Sequence, residues 1–106
     1  MNTKMKSNNK KKLRLYIFKS NKHIYANLID DEKEKVITSS STISKDIKHQ
    51  IKSFKNCATA QIVGKHIGLK IKKLGVKEII FDRGKNLYHG QVKAIADATR
   101  NEGIIF

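Results

Sequence analysis

Residues 13–30, "LRLYIFKSNKHIYANLID", decide the fold of this chain, because apolar and polar side chains alternate through them twice. Alternation places aliphatic side chains on one face: Leu13, Leu15, Ile17, Ile24, Ala26 and Leu28. The opposite face carries polar and aromatic side chains: Arg14, Tyr16, Phe18, His23, Tyr25 and Asn27. Since "SNK" (20–22) is a turn signal between the two halves, the stretch predicts a β-hairpin.

Downstream of this hairpin the sequence predicts a third strand and two helices. The acidic segment "DDEKEK" (30–35) is a turn, and "VITSSS" (36–41) is a more polar strand. Helical spacing predicts a short amphipathic helix over residues 43–54, with the apolar positions Ile43, Ile47, Ile51 and Phe54. A longer helix then carries the apolar stripe Ala60, Val63, Ile67, Ile71 and Leu74.

The ends and the glycines of the longer helix carry further signals. Either Asn56 or Thr59 can cap its start, and Gly75 ends it. Gly64 and Gly68 lie one turn apart, which lowers helix propensity but permits another backbone to approach closely.

The remaining segments complete a single domain. "VKEIIFD" (76–82) is a short apolar strand, and Gly103 ends a final helix with the stripe Val92, Ile95, Ala96 and Thr99. The order β-β-β-α-β-α predicts an α/β domain over residues 13–106, with a mixed sheet and helices packed on it. Residues 1–12, "MNTKMKSNNKKK", have no periodicity and predict a disordered, flexible basic arm.

The charge of the chain points to a polyanionic partner. Lys and Arg number 23 against 9 Asp and Glu, a formal net charge of +14. Residues 1–25 hold eight basic side chains and no acid, whereas the acids collect in residues 30–34. Such segregation is not needed for solubility, and nucleic acid is the partner that it favours.

Several classes of site are not predicted. A single Cys57 excludes an internal disulfide, and the four histidines with Cys57 show no metal-ligand spacing, so we expect no metal and no cofactor. No apolar run approaches the roughly 20 residues that span a bilayer. The basic N-terminus lacks the apolar segment of a secretory signal.

The segment "FDRGKNLYHGQVKAIAD" (81–97) contains the best catalytic candidates, Asp82, Arg83, Tyr88 and His89. Acid–base hydrolysis would require a second carboxylate or a nucleophile beside Asp82. The only acids near it in the sequence are Glu78, at the start of the strand, and Asp97, well along the final helix. A structural role, in which Asp82 pairs with Arg83 or caps the loop, is favoured over catalysis. A phosphate-binding edge fits better still, because the two glycines let the backbone approach a phosphate and a helix start near Gly90 offers free N–H groups. Arg83, Lys85 and His89 then contact sugar and phosphate, with no catalytic residue.

Two other surfaces have two interpretations each. The cations and aromatic rings opposite the aliphatic face of the hairpin suit base stacking, but burial under a helix, with helices on both sides of the sheet, is slightly favoured. The lysines of the longer helix and its exit are either solvated or in contact with phosphate: Lys65, Lys70, Lys72, Lys73 and Lys77.

Three stretches resemble one family in order and spacing. They are "KSNKHIYANLIDD", "SST" and "FDRGKNLYHGQVKAIADATRNEGIIF". Over residues 13–106 they resemble the bacterial and plastid family of large-subunit ribosomal protein eighteen. The resemblance implies a structural protein without catalytic activity, cofactor or small-molecule substrate. It also implies binding to 5S rRNA in the central protuberance, beside ribosomal protein five of the large subunit, and contact with 23S rRNA.

By position, the resemblance places RNA contacts in the arm, the first hairpin, the exit of the third strand and the "DRG…YHG" loop. With the basic residues of the arm and hairpin, the expected RNA-binding set is Lys4, Lys6, Lys10, Lys11, Lys12, Arg14, Lys19, Asn21, Lys22, His23, Tyr25, Ser41, Thr42, Arg83, Lys85, Tyr88 and His89. The family commonly has Pro at Leu13, Gly at Lys85 and Arg at Gln91. An arginine contact of the family is therefore not expected from Gln91, and Lys85 must avoid backbone conformations that suit only glycine.

Other functions and two locations stay open at this level. A general basic nucleic-acid-binding protein and a small nuclease are the alternatives, and a membrane-surface role ranks last. The chain has 20 Lys against 3 Arg, 15 Ile and no Pro, which indicates an A/T-rich genome. A ribosome in the plastid stroma is the expected location, with the bacterial cytoplasm as the alternative.

Overall fold

The computed structural model describes residues 13–20, 23–51 and 57–106. Its strands are β1 (Leu13–Lys19), β2 (Ile24–Asp30), β3 (Lys35–Ser41) and β4 (Ile79–Asp82). Its α-helices are α1 (Cys57–Lys73) and α2 (Gln91–Asn101). The predicted order β-β-β-α-β-α is confirmed. Neither helix in these ranges is long and apolar enough to cross a bilayer.

The four strands form one mixed sheet in the order β3-β2-β1-β4. The hairpin pairs β1 with β2 antiparallel, so that Phe18 lies opposite Tyr25. β3 continues the meander antiparallel to β2, whereas β4 returns after α1 and lies parallel to β1. A parallel neighbour requires a long crossover connection, which α1 supplies. The predicted mixed sheet is therefore confirmed.

The aliphatic face of the hairpin is the floor of the core. Leu15, Ile17, Ala26 and Leu28 are fully buried, and Ile24 is 1% exposed. They form one cluster with the apolar stripes of both helices, including Val63, Ile67, Ile71, Val92 and Ile95. Both helices therefore lie on the same face of the sheet, and the alternation of residues 13–30 predicts that face correctly.

The two helices approach closely at the glycines of α1. A Cβ atom at Gly64 would lie 2.6 Å from the carbonyl oxygen of Ile95, so only glycine fits there without a shift. The Thr99 hydroxyl donates to the carbonyl oxygens of Ile95, at 2.8 Å, and Gly64, at 3.1 Å. The close approach predicted from Gly64 and Gly68 is confirmed, and it places α2 beside α1 in a single layer.

The helix predicted over residues 43–54 is wrong in the described part of that segment. A single 3₁₀ turn, Lys48–Gln50, takes its place. The Ser44 hydroxyl accepts from the Ser41 N–H at 2.9 Å, so a local side-chain bond competes with helix formation at the start of the segment. Of the predicted stripe Ile47 is buried but Ile43 is 49% exposed, and Phe54 lies outside the described residues.

The predicted ends of the longer helix are partly corrected. Gly75, with φ of +83°, lies just after the end of α1, as predicted. Leu74 is 51% exposed, because it follows the last helical residue and leaves the stripe. Thr59 is buried within α1, two residues after Cys57, and not at its N-cap position, and Asn56 lies outside the described residues.

The C-terminal residues form a short addition to the sheet. Ile105 makes a parallel bridge with Glu78. Its N–H donates to the Lys77 carbonyl oxygen at 2.8 Å, and its carbonyl oxygen accepts from the Ile79 N–H at 3.1 Å. The segment predicted as a tail is thereby fixed beside the start of β4.

Candidate RNA-binding surface

The loop over residues 83–90, which joins β4 to α2, is held in one shape by its own hydrogen bonds. The Asp82 carboxylate accepts from the Gly84 N–H at 2.8 Å, an Asx turn that caps the loop. The Asn86 amide donates to the carbonyl oxygens of Arg83, at 2.9 Å, and Ile17, at 3.2 Å. The second bond fastens the loop to the centre of β1.

Asp82 pairs with a different arginine from the one predicted. Its other carboxylate oxygen lies 2.7 Å from Nη1 of Arg14, while the expected partner, Arg83, is exposed. Arg14 also binds Asp31, at 2.9 Å, and these two hydrogen bonds raise the pKa of Arg14 above its usual value. The Arg14 hydrogen bond lowers the pKa of Asp31. The loop cap is confirmed, the pairing with Arg83 is wrong, and Arg14 lies between two carboxylates.

The loop directs its cationic side chains into solvent. Arg83, Lys85 and His89 are exposed, and none of them forms an ion pair with another described residue. Gly84 and Gly90 both have φ of +58°, which glycine adopts readily. Lys85 is not among the described non-glycine residues with positive φ, so its backbone avoids the conformation that would strain it.

The start of α2 adds positive potential beside these side chains. Gly90 is its N-cap and makes no side-chain capping bond. The N-terminus of a helix carries a partial positive charge, which acidic side chains would ordinarily balance. No acidic residue lies in the first turn of α2. The helix start and the exposed cations of the 83–90 loop therefore form one electropositive edge.

Tyr88 and Leu87 occupy the outer part of the loop. The Tyr88 hydroxyl accepts a hydrogen bond from Nη1 of Arg100 at 2.8 Å, which fixes the direction of the ring. Leu87 is 80% exposed, the largest exposure among the described large apolar side chains. Leu87 is not among the site residues predicted from the sequence. The sequence signal for its exposure is an apolar residue between Asn86 and Tyr88, in a loop without apolar periodicity.

The aromatic face of the hairpin is open in the part of the chain that the structure describes. Phe18 and Tyr25 stack at 4.7 Å with an interplanar angle of 9°, and Tyr16 stacks on Phe18 at 5.6 Å. All three rings are partly exposed, because both helices cover the opposite face. The favoured prediction that a helix buries these rings is therefore wrong, since Gly64 lets the two helices share one layer.

The aromatic face and the 83–90 loop are contiguous. A Cβ atom at Gly84 would lie 3.0 Å from the ring of Tyr16, so the loop backbone touches the edge of the aromatic row. Lys19 is exposed at the end of β1, two residues beyond the Ile17 carbonyl that Asn86 binds. Rings and cations thus form one tract across β1.

Ser41 and Thr42 support this tract from below. Both are buried, at 8% and 1% exposure. The Thr42 hydroxyl lies 2.8 Å from Nδ1 of His23 and accepts from the Ile24 N–H at 3.3 Å. His23 in turn meets Tyr25 edge to face at 6.5 Å. The exit of β3 therefore fixes the orientation of His23 at the open end of the hairpin.

The other residues with predicted RNA contacts are either outside the described ranges or on α1 and its exit. The predicted set includes positions outside the described residues: Lys4, Lys6, Lys10, Lys11, Lys12, Asn21 and Lys22. Of the lysines on α1 and its exit, Lys70 donates to the Ser39 carbonyl oxygen at 2.8 Å, and the other four are exposed. Among the described side chains, no group of three or more His, Cys, Asp or Glu could hold a metal ion.

The chain matches one protein family throughout. The family model described as ribosomal L18 of archaea, bacteria, mitochondria and chloroplast covers residues 1–106. The large ribosomal subunit protein uL18 of Prochlorococcus marinus (strain MIT 9515) is 50% identical over 99 residues, which are 92% of this chain and 81% of that protein. The protein of the same name from Syntrophus aciditrophicus (strain SB) is 47% identical over 93 residues, 88% of this chain and 77% of that protein.

A third relative is of algal origin. The large ribosomal subunit protein uL18c of Gracilaria tenuistipitata var. liui is 46% identical over 97 residues, which are 92% of each chain. Membership of this family makes the chain a structural protein of the large ribosomal subunit, with ribosomal RNA as its partner, and not an enzyme. Together these matches show that the chain belongs to the ribosomal L18 family.

Proposed function

We propose that the chain binds 5S rRNA and attaches it to 23S rRNA in the central protuberance, beside ribosomal protein five of the large subunit. The observation that supports this most is the 83–90 loop. Asp82 and Asn86 hold its backbone, while Arg83, Lys85 and His89 extend from it without ion-pair partners among the described residues. A fixed array of donors suits the phosphates of a folded RNA, which proteins recognise largely by shape.

The open aromatic row supplies a second kind of contact. Tyr16, Phe18 and Tyr25 present partly exposed rings next to the loop. Unpaired bases in RNA loops stack on such rings, and each stacked base contributes about 1–3 kcal/mol. His23 and Lys19 border the same row and reach sugar and phosphate. Arg14, balanced by Asp31 and Asp82, orients this edge more than it adds net charge.

The remaining interactions of the proposal are electrostatic. The lysines of residues 1–12 and Lys22 bind RNA phosphates and release counterions, and Asn21, next to Lys22, contacts the RNA as a neutral hydrogen-bonding group. Removal of residues 1–12 then lowers affinity for every RNA and lowers the log–log salt slope by about 0.7–0.9 for each phosphate that the arm neutralises. An unchanged slope after this truncation would show that the arm does not bind phosphate.

Competition between RNAs tests the central claim. Labelled 5S rRNA is bound to the full chain and displaced by unlabelled 5S rRNA, a scrambled RNA of equal length or duplex DNA. The proposal expects 5S rRNA to compete at least about tenfold better than the other two at physiological salt. Equal competition by all three would indicate a general nucleic-acid-binding protein and would refute the proposal.

Two matched variants then locate the site. Arg83→Ala removes a loop cation and is expected to weaken the 5S complex more than the scrambled-RNA complex. Lys33→Ala removes an exposed cation of the acidic β2–β3 turn and is expected to change neither. Protection of 5S rRNA nucleotides from cleavage, compared between Arg83→Ala and the unchanged chain, identifies the nucleotides that the loop contacts.

We further place the chain in a plastid ribosome. The Lys-rich, Pro-free composition and the match to the Gracilaria protein over 92% of each chain support this location. The Prochlorococcus marinus protein, at 50% identity, is about as similar to this chain as the Gracilaria protein is. It supports the alternative location, a bacterial cytoplasm. Co-sedimentation of the tagged chain with plastid ribosomes in its own cell is the expected result, and its absence from a plastid fraction would contradict the assignment.

A further inference from the structure

Arg100, in the last turn of α2, joins two segments that are distant in the sequence. Its Nη1 donates to the Tyr88 hydroxyl at 2.8 Å. Its guanidinium carbon lies 4.4 Å from the centre of the Phe106 ring, and its Nε donates to the Phe106 carbonyl oxygen at 3.3 Å. One side chain therefore contacts both the 83–90 loop and the C-terminal residues.

The interactions close into a ring of four side chains. Phe106 stacks on Phe81 at 5.2 Å with an interplanar angle of 13°. Phe81, in β4, meets Tyr88 edge to face at 6.2 Å. Tyr88 then returns to Arg100. Each neighbour thus limits the movement of the next, and the bridge between Glu78 and Ile105 fixes the C-terminal segment to which Phe106 belongs.

We propose that Arg100 and Phe106 are positioning residues for RNA binding, which hold Tyr88 and through it the outer half of the 83–90 loop. This inference rests on the proposed function of the loop but names residues outside it. The inner half of the loop has its own bonds from Asp82 and Asn86. Tyr88 is the point at which the outer half is tied to the domain by a side chain.

The chemistry of the Arg100–Tyr88 bond favours a positioning role. A phenol oxygen that accepts from a guanidinium keeps its own hydrogen, which it can donate to a phosphate or ribose oxygen. Bonding to a cation also polarises the phenol and strengthens that donation. Arg100 itself lies 3.7 Å from the Asp97 carboxylate, so part of its charge is balanced within α2. The direct contact with RNA therefore belongs to Tyr88.

A double-mutant cycle on 5S rRNA binding tests the inference with the full chain. Arg100→Ala and Tyr88→Phe each remove the bond between them, and each is expected to weaken binding about tenfold. If Arg100 acts through Tyr88, the double variant is no weaker than either single variant. Losses that multiply in the double variant, or no loss in Arg100→Ala, would overturn the inference.

Two further variants separate positioning from charge and from packing. Lys93→Ala removes a cation from the same helix, one that pairs with Asp97 at 3.0 Å, and is expected to change affinity less than about twofold. Phe106→Leu keeps an apolar side chain but loses the ring that stacks on Arg100. Its affinity for 5S rRNA is expected to lie between that of the wild type and that of Arg100→Ala. If Lys93→Ala matches Arg100→Ala, the effect is one of net charge and the inference fails.

An RNA-free measurement distinguishes failure of this inference from failure of the proposed function. The His89 amide, which donates to the Leu87 carbonyl oxygen at 2.8 Å, reports on the outer half of the loop. Arg100→Ala is expected to raise its hydrogen-exchange rate about threefold or more, while amides of β1 and β2 stay unchanged. Unchanged exchange of the His89 amide would overturn the inference that Arg100 holds the outer half of the loop, even if the chain binds 5S rRNA. A raised exchange rate would support that inference even if the chain does not bind 5S rRNA.

Discussion

The two faces of the β1–β2 hairpin have the same backbone and opposite surroundings. On one face Ile17 and Ala26 are fully buried under α1 and α2. On the other face Phe18 and Tyr25 stack on each other at 4.7 Å and stay partly exposed. Alternation in the sequence creates both faces, but the packing of the helices decides which one becomes core.

The reason lies in the helices rather than in the strands. Because Gly64 admits the backbone of α2 at Ile95, the two helices share one layer and cover one face. Within the described ranges no other α-helix is present to cover the aromatic face. Three partly exposed rings in a row are unusual for a surface that meets only water, which supports the RNA-binding role proposed for this face.

The largest contrast is expected between two neighbours on β1. Ile17→Ala leaves a cavity in the core and is expected to lower the free energy of unfolding by about 3 kcal/mol. Phe18→Ala removes a ring that no described helix covers and is expected to cost less than about 1 kcal/mol. Urea unfolding of both variants, followed by circular dichroism, measures the difference. Equal losses of stability would mean that the two faces are equally packed.

The helix layer itself can be tested at Gly64. Gly64→Ala gains helix propensity but forces the new methyl against the Ile95 carbonyl, so a net loss of about 2 kcal/mol in the free energy of unfolding is expected. Gly68→Ala is the matched comparison and is expected to lose less, because its methyl would lie 3.0 Å from Cγ of Glu102 and 3.3 Å from Cα of Thr99, both longer than the 2.6 Å contact at Gly64. A Gly64→Ala variant as stable as Gly68→Ala would show that the two helices are not in close contact.

Much of this architecture could be predicted from single residues. The burial of Leu15 and Leu28 followed from alternation, and the closeness of the helices from Gly64 and Gly68. That both helices lie on the aliphatic face alone did not follow, because the aromatic rings of the other face were also compatible with burial under a helix. Only the joint geometry of β4, parallel to β1, and of the Gly64 contact decides it.

In the candidate site, too, the local features could be predicted from the sequence and the contacts between distant residues could not. The loop cap by Asp82 was predictable, because Asx turns are local and depend on the next two residues. The pairing of Asp82 with Arg14 was not, since it joins residues 68 positions apart through the register of β1 and β4. Arg100 carried no signal of its role either, because its interactions with Tyr88 and Phe106 exist only after the chain has folded.

A substitution on the open aromatic face should lower the affinity for RNA although it has little effect on the free energy of unfolding. Phe18→Ala removes the middle ring of the row and is expected to weaken 5S rRNA binding about tenfold, the free energy of one stacked base. Val36→Ala is the matched control, because Val36 is 52% exposed on the neighbouring strand β3 but has no ring. Filter binding at constant salt measures both. Equal affinity of Phe18→Ala and Val36→Ala would leave the open aromatic face without a role in RNA binding.

The smallest expected effect concerns the covered face at its edge, where His66 of α1 meets β3. Nδ1 of His66 lies 2.7 Å from the Ser40 hydroxyl, and Nε2 lies 3.5 Å from the Asp46 carboxylate. Burial and the nearby Lys70 ammonium lower the pKa of His66 below its ordinary 6.5, although Asp46 opposes them. The folded chain therefore takes up a proton on His66 less readily than the unfolded chain.

This difference fixes the direction of the pH dependence. Between pH 6.5 and the lowered pKa of His66 the unfolded chain binds more protons, so stability falls as the pH falls through that window. His66→Gln cannot titrate and is expected to abolish this part of the pH dependence, which involves less than one proton. Asp31→Asn is the control, because the lowered pKa of Asp31 keeps its carboxylate ionised throughout the window. Urea unfolding at about pH 5.5, 6.5 and 7.5 should therefore give parallel profiles for Asp31→Asn and the wild type, and a flatter one for His66→Gln. A His66→Gln profile as steep as the wild type would show that His66 is as accessible to protons in the folded chain as in the unfolded one, and that the covered face is open at this edge.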